Sequence, residues 1–420
     1  MLSLDTDIYY KEPISIGNSI NLHVIQTNKF KTAVYCLLIR RPLNREESTK
    51  NALLPDVLKQ GCRRYPSILK MNGRTEELFG SIFDCQTVKK GEEQILQLYF
   101  EGIPHNGNML KGIEFLYDAA LNPYTEASGV KPVFVDNAKK SVSNVIKGRI
   151  NNKAEYARIN CLAHMCKDEP FAVHADGYTE DLTDITPQSL YKHYMNILKT
   201  SPIELISAGN LGDTELAAAA GGLNIPNREP EQIPFAKCMP ARLEVKRVAK
   251  DFNSAQGKIC MGLRCDISPV SREFFGLLMM NEILGGGPNS KLFTKIREKE
   301  NLCYYINSTL YRFKSIILIQ SGVASGHFGR ITELAGQEIE EIRQECITND
   351  EWKSARKSLI SKFRSSQEHF SSILDFYAAQ HLLNDKHSLT DIIREVETVT
   401  VGETAEAARR VRLDTVFEVK

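Results

Sequence analysis

The sequence predicts an α+β fold built twice in tandem, on three observations. The second half of the chain echoes the first at an offset of 224 residues. Each copy reads strand, helix, helix, strand, then a run of helices closed by a final strand. A proline-rich stretch of low periodicity separates the copies. Two domains of about 200 residues suit a chain of 420.

The offset places Cys36 on Cys260, Arg40 on Arg264, and Leu53 and Leu54 on Leu277 and Leu278. It places Gly61 on Gly285, Glu76 on Glu300, Leu78 on Leu302 and Ile82 on Ile306. In each copy a strand ("TAVYCLLIR", "GKICMGLRC") leads to a helix ending at Gly61 or Gly285, where glycine suits a left-handed cap. A second helix follows, then a β-branched strand, "EQILQLYFEGI" or "SIILIQSGVAS". The helices "NMLKGIEFLYDAAL" and "ITELAGQEIEEIRQ" precede long helical stretches over 134–167 and 349–383, the second opened by a Thr348/Glu351 capping box. A Thr-capped helix closes each copy, Thr186 with Pro187 at the first helical position and Thr400 with Glu403 three on. The strands "PIELISAG" and "DTVFEVK" end them. The predicted domains are 1–220 and 243–420, with 221–242 and its four prolines as linker.

Charge is balanced, 53 basic residues against 52 acidic, which argues against a nucleic-acid or polyanionic-membrane surface. The start "MLSLDTDIYYKEP" lacks the apolar core of a signal peptide, and apolar runs such as "AVYCLLI" are too short to span a bilayer. A cytoplasmic setting is expected, with the ten cysteines as thiols. "CLAHMC" (161–166) lacks a second Cys/His pair at zinc spacing and reads as a buried helical face.

The sharpest stretch is "GGGPNSKLFTKIREKENLCYY" (285–305). Gly285, Gly286 and Gly287 give a flexible loop that another backbone can approach closely. Arg297 and Tyr304, at a helix end and entering a strand, could both donate hydrogen bonds to a peptide carbonyl. An ordinary surface arginine after a capped helix fits the same residues, and the residues alone leave both readings open.

This stretch, with the duplicated architecture, resembles the M16 peptidase family of pitrilysin, insulinase and the mitochondrial processing peptidases. The family pattern, a glycine-rich loop then S-x-L-F-x-x-I-R-E-x-x-x-L-x-Y, is matched by Ser290, Leu292, Phe293, Ile296, Arg297, Glu298, Leu302 and Tyr304. The resemblance covers essentially the whole chain. It implies two LuxS/MPP-like metallohydrolase domains, each a mixed or antiparallel sheet covered by helices, together half of a clamshell. It also implies substrate-binding roles for Arg297, Tyr304 and Gly285–Gly287; the first-copy equivalents of the Arg and Tyr are Gly73 and Gly80.

The family's zinc motif, H-x-x-E-H, lies on the first-domain helix after the first strand. Counted back from Gly61, its positions hold Ala52, Pro55 and Asp56, so the helix reads as one that lost its metal, with Pro55 tolerable near its start. The family's third ligand falls on a later helix near Asn144 or Lys147. The stretches "ALLPDVLKQGCRRYP", "KKGEEQ" and "CKDEPFAVHADGYTEDL" resemble a metal-less bacterial branch of the family, whose members pair with a zinc-bearing homologue. The resemblance therefore implies a non-catalytic subunit without cofactor of its own, zinc being held by the partner, and a peptide substrate. A homodimer and a purely structural adaptor are the alternatives. A different hydrolase site finds no support: the nine histidines show no pair at metal-helix spacing, and neither G-x-S-x-G nor a P-loop occurs.

Overall fold

In a computed structural model the chain divides into two compact units, Met1–Lys147 with Val173–Pro234, and Gly148–Ala172 with Phe235–Lys420. The structure describes residues 8–17, 19–127, 129–223, 225, 227–252, 256–324 and 326–420. Of the expected linker, Asn224 and Pro226 lie outside the described residues, and 228–242 carries no helix or strand.

In the first unit β1 (Ile8–Gly17), β2 (Ile20–Thr27) and β3 (Ala33–Pro42) lead to α1 (Ser48–Gln60) and α2 (Ile68–Glu77). Strands β4 (Ile82–Lys90) and β5 (Glu93–Gly102) follow, then α3 (Asn108–Leu121), a two-residue ladder of β6 (Thr125–Glu126) with β7 (Gly129–Val130), and α4 (Pro132–Gly148). Helix α5 (Lys153–Met165) belongs to the second unit. The chain returns with α6 (Pro187–Thr200), β8 (Ile203–Gly209) and α7 (Asp213–Gly222).

The second unit continues with β9 (Lys246–Lys250), β10 (Gln256–Cys265), α8 (Glu273–Gly285), β11 (Cys303–Tyr311) and β12 (Ile316–Ala324). It closes with α9 (Phe328–Arg343), α10 (Asn349–Ser365), α11 (Phe370–Leu383), α12 (Leu389–Thr398), α13 (Val401–Arg409) and β13 (Val411–Val419).

The two sheets repeat one topology. The first runs β4-β5-β3-β8-β2-β1 and the second β11-β12-β10-β13-β9. In both, the first four strands are antiparallel in turn and the next is added parallel, β8 to β2 and β13 to β9. Cys36 and Cys260 occupy matching places, between Tyr99 and Ile206 in one sheet and between Gln320 and Phe417 in the other. Each unit packs its own apolar core between sheet and helices, Tyr35, Leu37, Ile39, Leu53 and Leu54 in the first and Met261, Leu263, Leu277 and Ile283 in the second.

The paired arginines have a structural use that the offset alone did not reveal. Arg40 forks onto Glu93 at 2.8 Å and reaches Glu204 on β8 at 3.2 Å. Arg264 reaches Asp414 on β13 at 3.3 Å and Glu169 at 2.5 Å. A buried guanidinium must be paired, and each central strand pairs its own to a carboxylate on the next strand.

Glu169 also binds the buried ammonium of Lys314 at 2.8 Å. Burial works against its charge, but Arg264 and Lys314 outweigh burial and hold its carboxyl below the usual range. This network ties Gly148–Ala172 to the second unit, so that unit takes one helix from within residues 1–220. On α5 and its cap, Cys161 and Cys166 are buried against this sheet, the Cys161 thiol donating to the Cys260 carbonyl at 3.4 Å.

Local expectations held at the caps. Thr186, Thr348 and Thr400 each close a capping box. The two glycine caps did not. Gly61 has φ +158° and ψ +158°, outside the left-handed helical region, and Gly285 ends α8 without a positive φ. Space is the reason for both: a Cβ on Gly61 would lie 2.9 Å from the backbone of Tyr65–Ser67, and one on Gly285 would lie 2.7 Å from Ser308 N. The long helical stretches also divide, one at Arg149–Asn152, where Asn152 caps α5, and the other at Ser366–His369.

Candidate functional site

Helix α1 carries Ala52, Pro55 and Asp56. It buries Leu53, Leu54, Val57 and Leu58, the spacing that predicted it. Pro55 is not in its first turn, as the sequence suggested, but is the eighth of thirteen residues. Proline removes the N–H that would bond the carbonyl four residues back, that of Asn51. Thr87 on β4 supplies the missing donor, its hydroxyl lying 3.1 Å from Asn51 O. The helix therefore passes through the proline because an edge strand repairs the lost bond.

The Asn51 side chain is equally engaged. Its amide donates to Gln94 at 2.8 Å and its oxygen faces His193 Nε2 at 2.8 Å. Gln94 donates on to the carbonyls of Ser48 and Ala175. Burial pushes His193 down to about 4, so the ring is neutral at pH 7 and Nε2–H is the donor to Asn51. The loop His174–Asp181 closes over the first turn of α1. Gly177, at φ +74°, lies so near Thr49 that a Cβ would come within 2.5 Å of its Cα. Arg45 binds Asp181 at 2.6 Å and stacks 3.7 Å from the Tyr178 ring centroid. The sequence reading assigned this amide and histidine network no part. Its signal was only the run of polar residues Ser48, Thr49 and Asn51 on a face that ought to be apolar.

Ala52 offers no ligand atom and Pro55 no base. Asp56 is partly exposed, 4.0 Å from Lys59. A catalytic zinc needs three protein ligands, and among the described residues Asp56 belongs to no cluster of three or more potential ligands. The residues present do not fit the metal. Helix α4 meets α1 at Phe134 and Asn137, both bonded to Gln60, whereas Asn144 and Lys147 lie further along and are exposed. Among the described residues strand β4 pairs only with β5, and its other backbone edge is unpaired.

In the second unit, Gly285–Gly287 follow α8. Gly285 lets the chain press against Ser308 on β11. The flexible loop expected from three glycines is pinned instead: Lys362 on α10 donates to both oxygens of buried Glu282, at 2.8 and 2.7 Å, and to Gly286 O at 2.8 Å. Within the motif that follows, Leu292 and Ile296 are buried, and Lys291 is paired with Glu341 and Glu351.

The segment Phe293–Lys299 is a π-helical turn, a distortion often found at functional sites. Arg297 sits on it, exposed, its guanidinium 4.6 Å from the Phe293 ring centroid. At the start of β11, burial raises the Cys303 thiol, and a hydrogen bond with Ser321 and the Arg297 charge oppose that rise. There the ladder slips: Cys303 faces Val323 while Tyr305 faces Gly322. Tyr304 is the extra residue of a bulge, and bulges re-aim side chains. It is 64 % exposed. Among the described residues Arg297 makes no ion pair and Tyr304 no hydrogen bond. The structure thus sets Gly285 against Ser308 in the middle of β11, Tyr304 near the start of that strand and Arg297 on the turn before it.

A duplicated α+β scaffold, with Ala52, Pro55 and Asp56 on α1 of one copy and a glycine–arginine–tyrosine motif in the other, is a two-domain fold of the M16 type. The chain is similar to members of the M16 peptidase family. The family described as Peptidase M16 inactive domain matches residues 184–359. The chain is 23 % identical over 419 residues to the probable inactive metalloprotease YmfF of Bacillus subtilis (strain 168), covering 98 % of each. A conserved protein from Enterococcus faecalis V583 has the same fold, with a TM-score of 0.90, 22 % identity and 99 % of both chains covered. So has a peptidase M16 inactive domain from Pseudomonas fluorescens, at a TM-score of 0.81, 16 % identity and 97 % of both chains. Among the described residues no helix is long and apolar enough to cross a membrane.

Proposed function

We propose that this chain is a non-catalytic M16 subunit that binds peptide and completes the active site of a zinc-bearing homologue. Ala52, Pro55 and Asp56 stand where a catalytic member holds two histidines and a glutamate, and the chain takes no zinc of its own. The likeness to a relative described as an inactive metalloprotease supports this. The reading is carried by the exposed and unpaired state of Arg297 and Tyr304, which a π turn and a bulge hold out from a packed, ion-paired backdrop. A guanidinium and a phenol so placed are free to donate to a peptide carbonyl as it gains charge. The free edge of β4 supports binding of extended peptide as an added strand. The buried cysteines, held as thiols, support a reducing, cytoplasmic setting.

The test is reconstitution with the zinc-bearing homologue. Arg297→Ala and Tyr304→Phe should leave folding and pairing intact and lower peptide turnover about a hundredfold. If turnover is unchanged and only stability falls, the motif is a packing remnant and the chain an adaptor. If the chain forms only a homodimer, the heteropair is wrong.

A further inference from the structure

The second unit carries a polar groove of about 560 Å³, lined by Asn151, Asn152, Lys153, Ala154, Lys258, Tyr305, Asn307 and Gln320. We propose that this groove binds the phosphate or carboxylate group of a small ligand, at a site separate from the glycine–arginine–tyrosine motif.

The first support is its composition. Among the described residues two ammonium groups line it and no carboxylate does. The nearest acid along the chain, Glu155, is held in a two-point pair by Arg158 and does not neutralise them. Lys258 donates to a neutral partner, Gln256 Oε1 at 2.6 Å, and its ammonium lies 5.4 Å from the Tyr305 ring centroid. Burial, and then the charge of Lys153, hold Lys258 below its ordinary value, so the two ammonium groups feel one another. Two like charges facing one concavity without a counter-charge are relieved by an anion.

The second support is the donor set. The Asn152 side-chain oxygen is used in capping Glu155 N, so the amide NH2 is the group it has left to offer. The amides of Asn151, Asn307 and Gln320 can each turn an N–H toward a ligand. Burial keeps the Tyr305 phenol protonated, a further donor. The volume falls within the range of small-molecule sites, so the oxyanion can belong to a larger molecule.

Separation from the motif follows from strand alternation. On β11, Ile306 enters the helical core and Ser308 meets Gly285, whereas Tyr305 and Asn307 face the groove. The site therefore lies on the opposite face of the sheet from the glycine loop, and its test is independent of peptide turnover.

The experiment is calorimetric titration of the full chain at low ionic strength with inorganic phosphate, and with a short peptide as free acid and as C-terminal amide. Saturable binding of phosphate, or of the free acid but not the amide, is expected, and the preferred probe assigns the group. Lys153→Met and Lys258→Met should each weaken binding about tenfold or more while Lys258→Arg retains it, all with unchanged unfolding midpoints. Absence of saturable binding for every probe, or equal affinity in the parent and both Met variants, overturns the proposal.

Discussion

The repair of Pro55 by Thr87 can be measured directly. Thr87→Val replaces the hydroxyl by a methyl of nearly the same volume. It leaves the carbonyl of Asn51, a residue 4 % exposed, without its donor. An unsatisfied buried acceptor costs about 1–3 kcal/mol. In a Pro55→Ala background the helix N–H returns and points at the same carbonyl, so Thr87→Val should then cost under about 0.5 kcal/mol. The coupling between the two positions is thus about 0.5–3 kcal/mol, whatever Pro55→Ala does alone. Urea unfolding of the four proteins in this cycle, followed by far-ultraviolet circular dichroism, gives the number. Equal cost of Thr87→Val in both backgrounds would show that the hydroxyl does not stand in for the proline's missing N–H.

Three further outcomes are expected. His193 is lowered from 6.5 to about 4, chiefly by burial, so the unfolded chain binds its proton more readily. The stability it contributes is complete above about pH 6.5 and falls by up to about 3 kcal/mol as pH drops toward 4, a slope that His193→Gln should flatten in unfolding curves across that range. Gly285→Ala should destabilise by about 1–3 kcal/mol, because its Cβ would meet Ser308 N at 2.7 Å, whereas Gly287→Ala, with its nearest atom at 3.7 Å, should change the midpoint by less than about 0.5 kcal/mol; equal effects would refute the close-approach account. Lys362→Met strands the buried Glu282 carboxylate, and, discounted for the half-exposed ammonium, should cost about 1–2 kcal/mol in thermal unfolding, partly restored by adding Glu282→Gln.

The central strands were legible because β3, β5, β10 and β12 are continuous apolar or β-branched runs, and capping boxes were legible because their chemistry is local. The strands that escaped notice owe their place to distant partners. Strand β2, "INLHVIQT", looks too polar for a buried strand until Asn21 and His23 are seen to bond Glu204, at 3.0 and 2.9 Å, from the far end of the first unit. Strand β9 is five residues, mostly exposed, and exists only as an addition to β13. The same limit hid the Thr87 repair, since a hydroxyl 36 residues from its acceptor leaves no pattern in a sequence window. It also hid the transfer of α5 to the second unit, which depends on Glu169 meeting Arg264 and Lys314.

The two copies have treated the same scaffold differently, and the difference bears on function. In the first copy, the helix positions with no ligand atoms sit among side chains that are satisfied: Asn51, Gln94, His193 and Thr87 close every bond they open. Such a network explains itself by stability. In the second copy, Lys291, Glu282 and Lys362 are likewise paired, but Arg297 and Tyr304 are not. Retaining the fold demands Leu292, Ile296 and Ile306, which are buried, and demands nothing of an exposed guanidinium and phenol. A bulge that turns Tyr304 out of the ladder gives up regular pairing at that point. Among the described residues Arg297 has the Phe293 ring beside it but no ion pair, and Tyr304 has no hydrogen bond, so packing alone does not explain them and the proposed peptide role does.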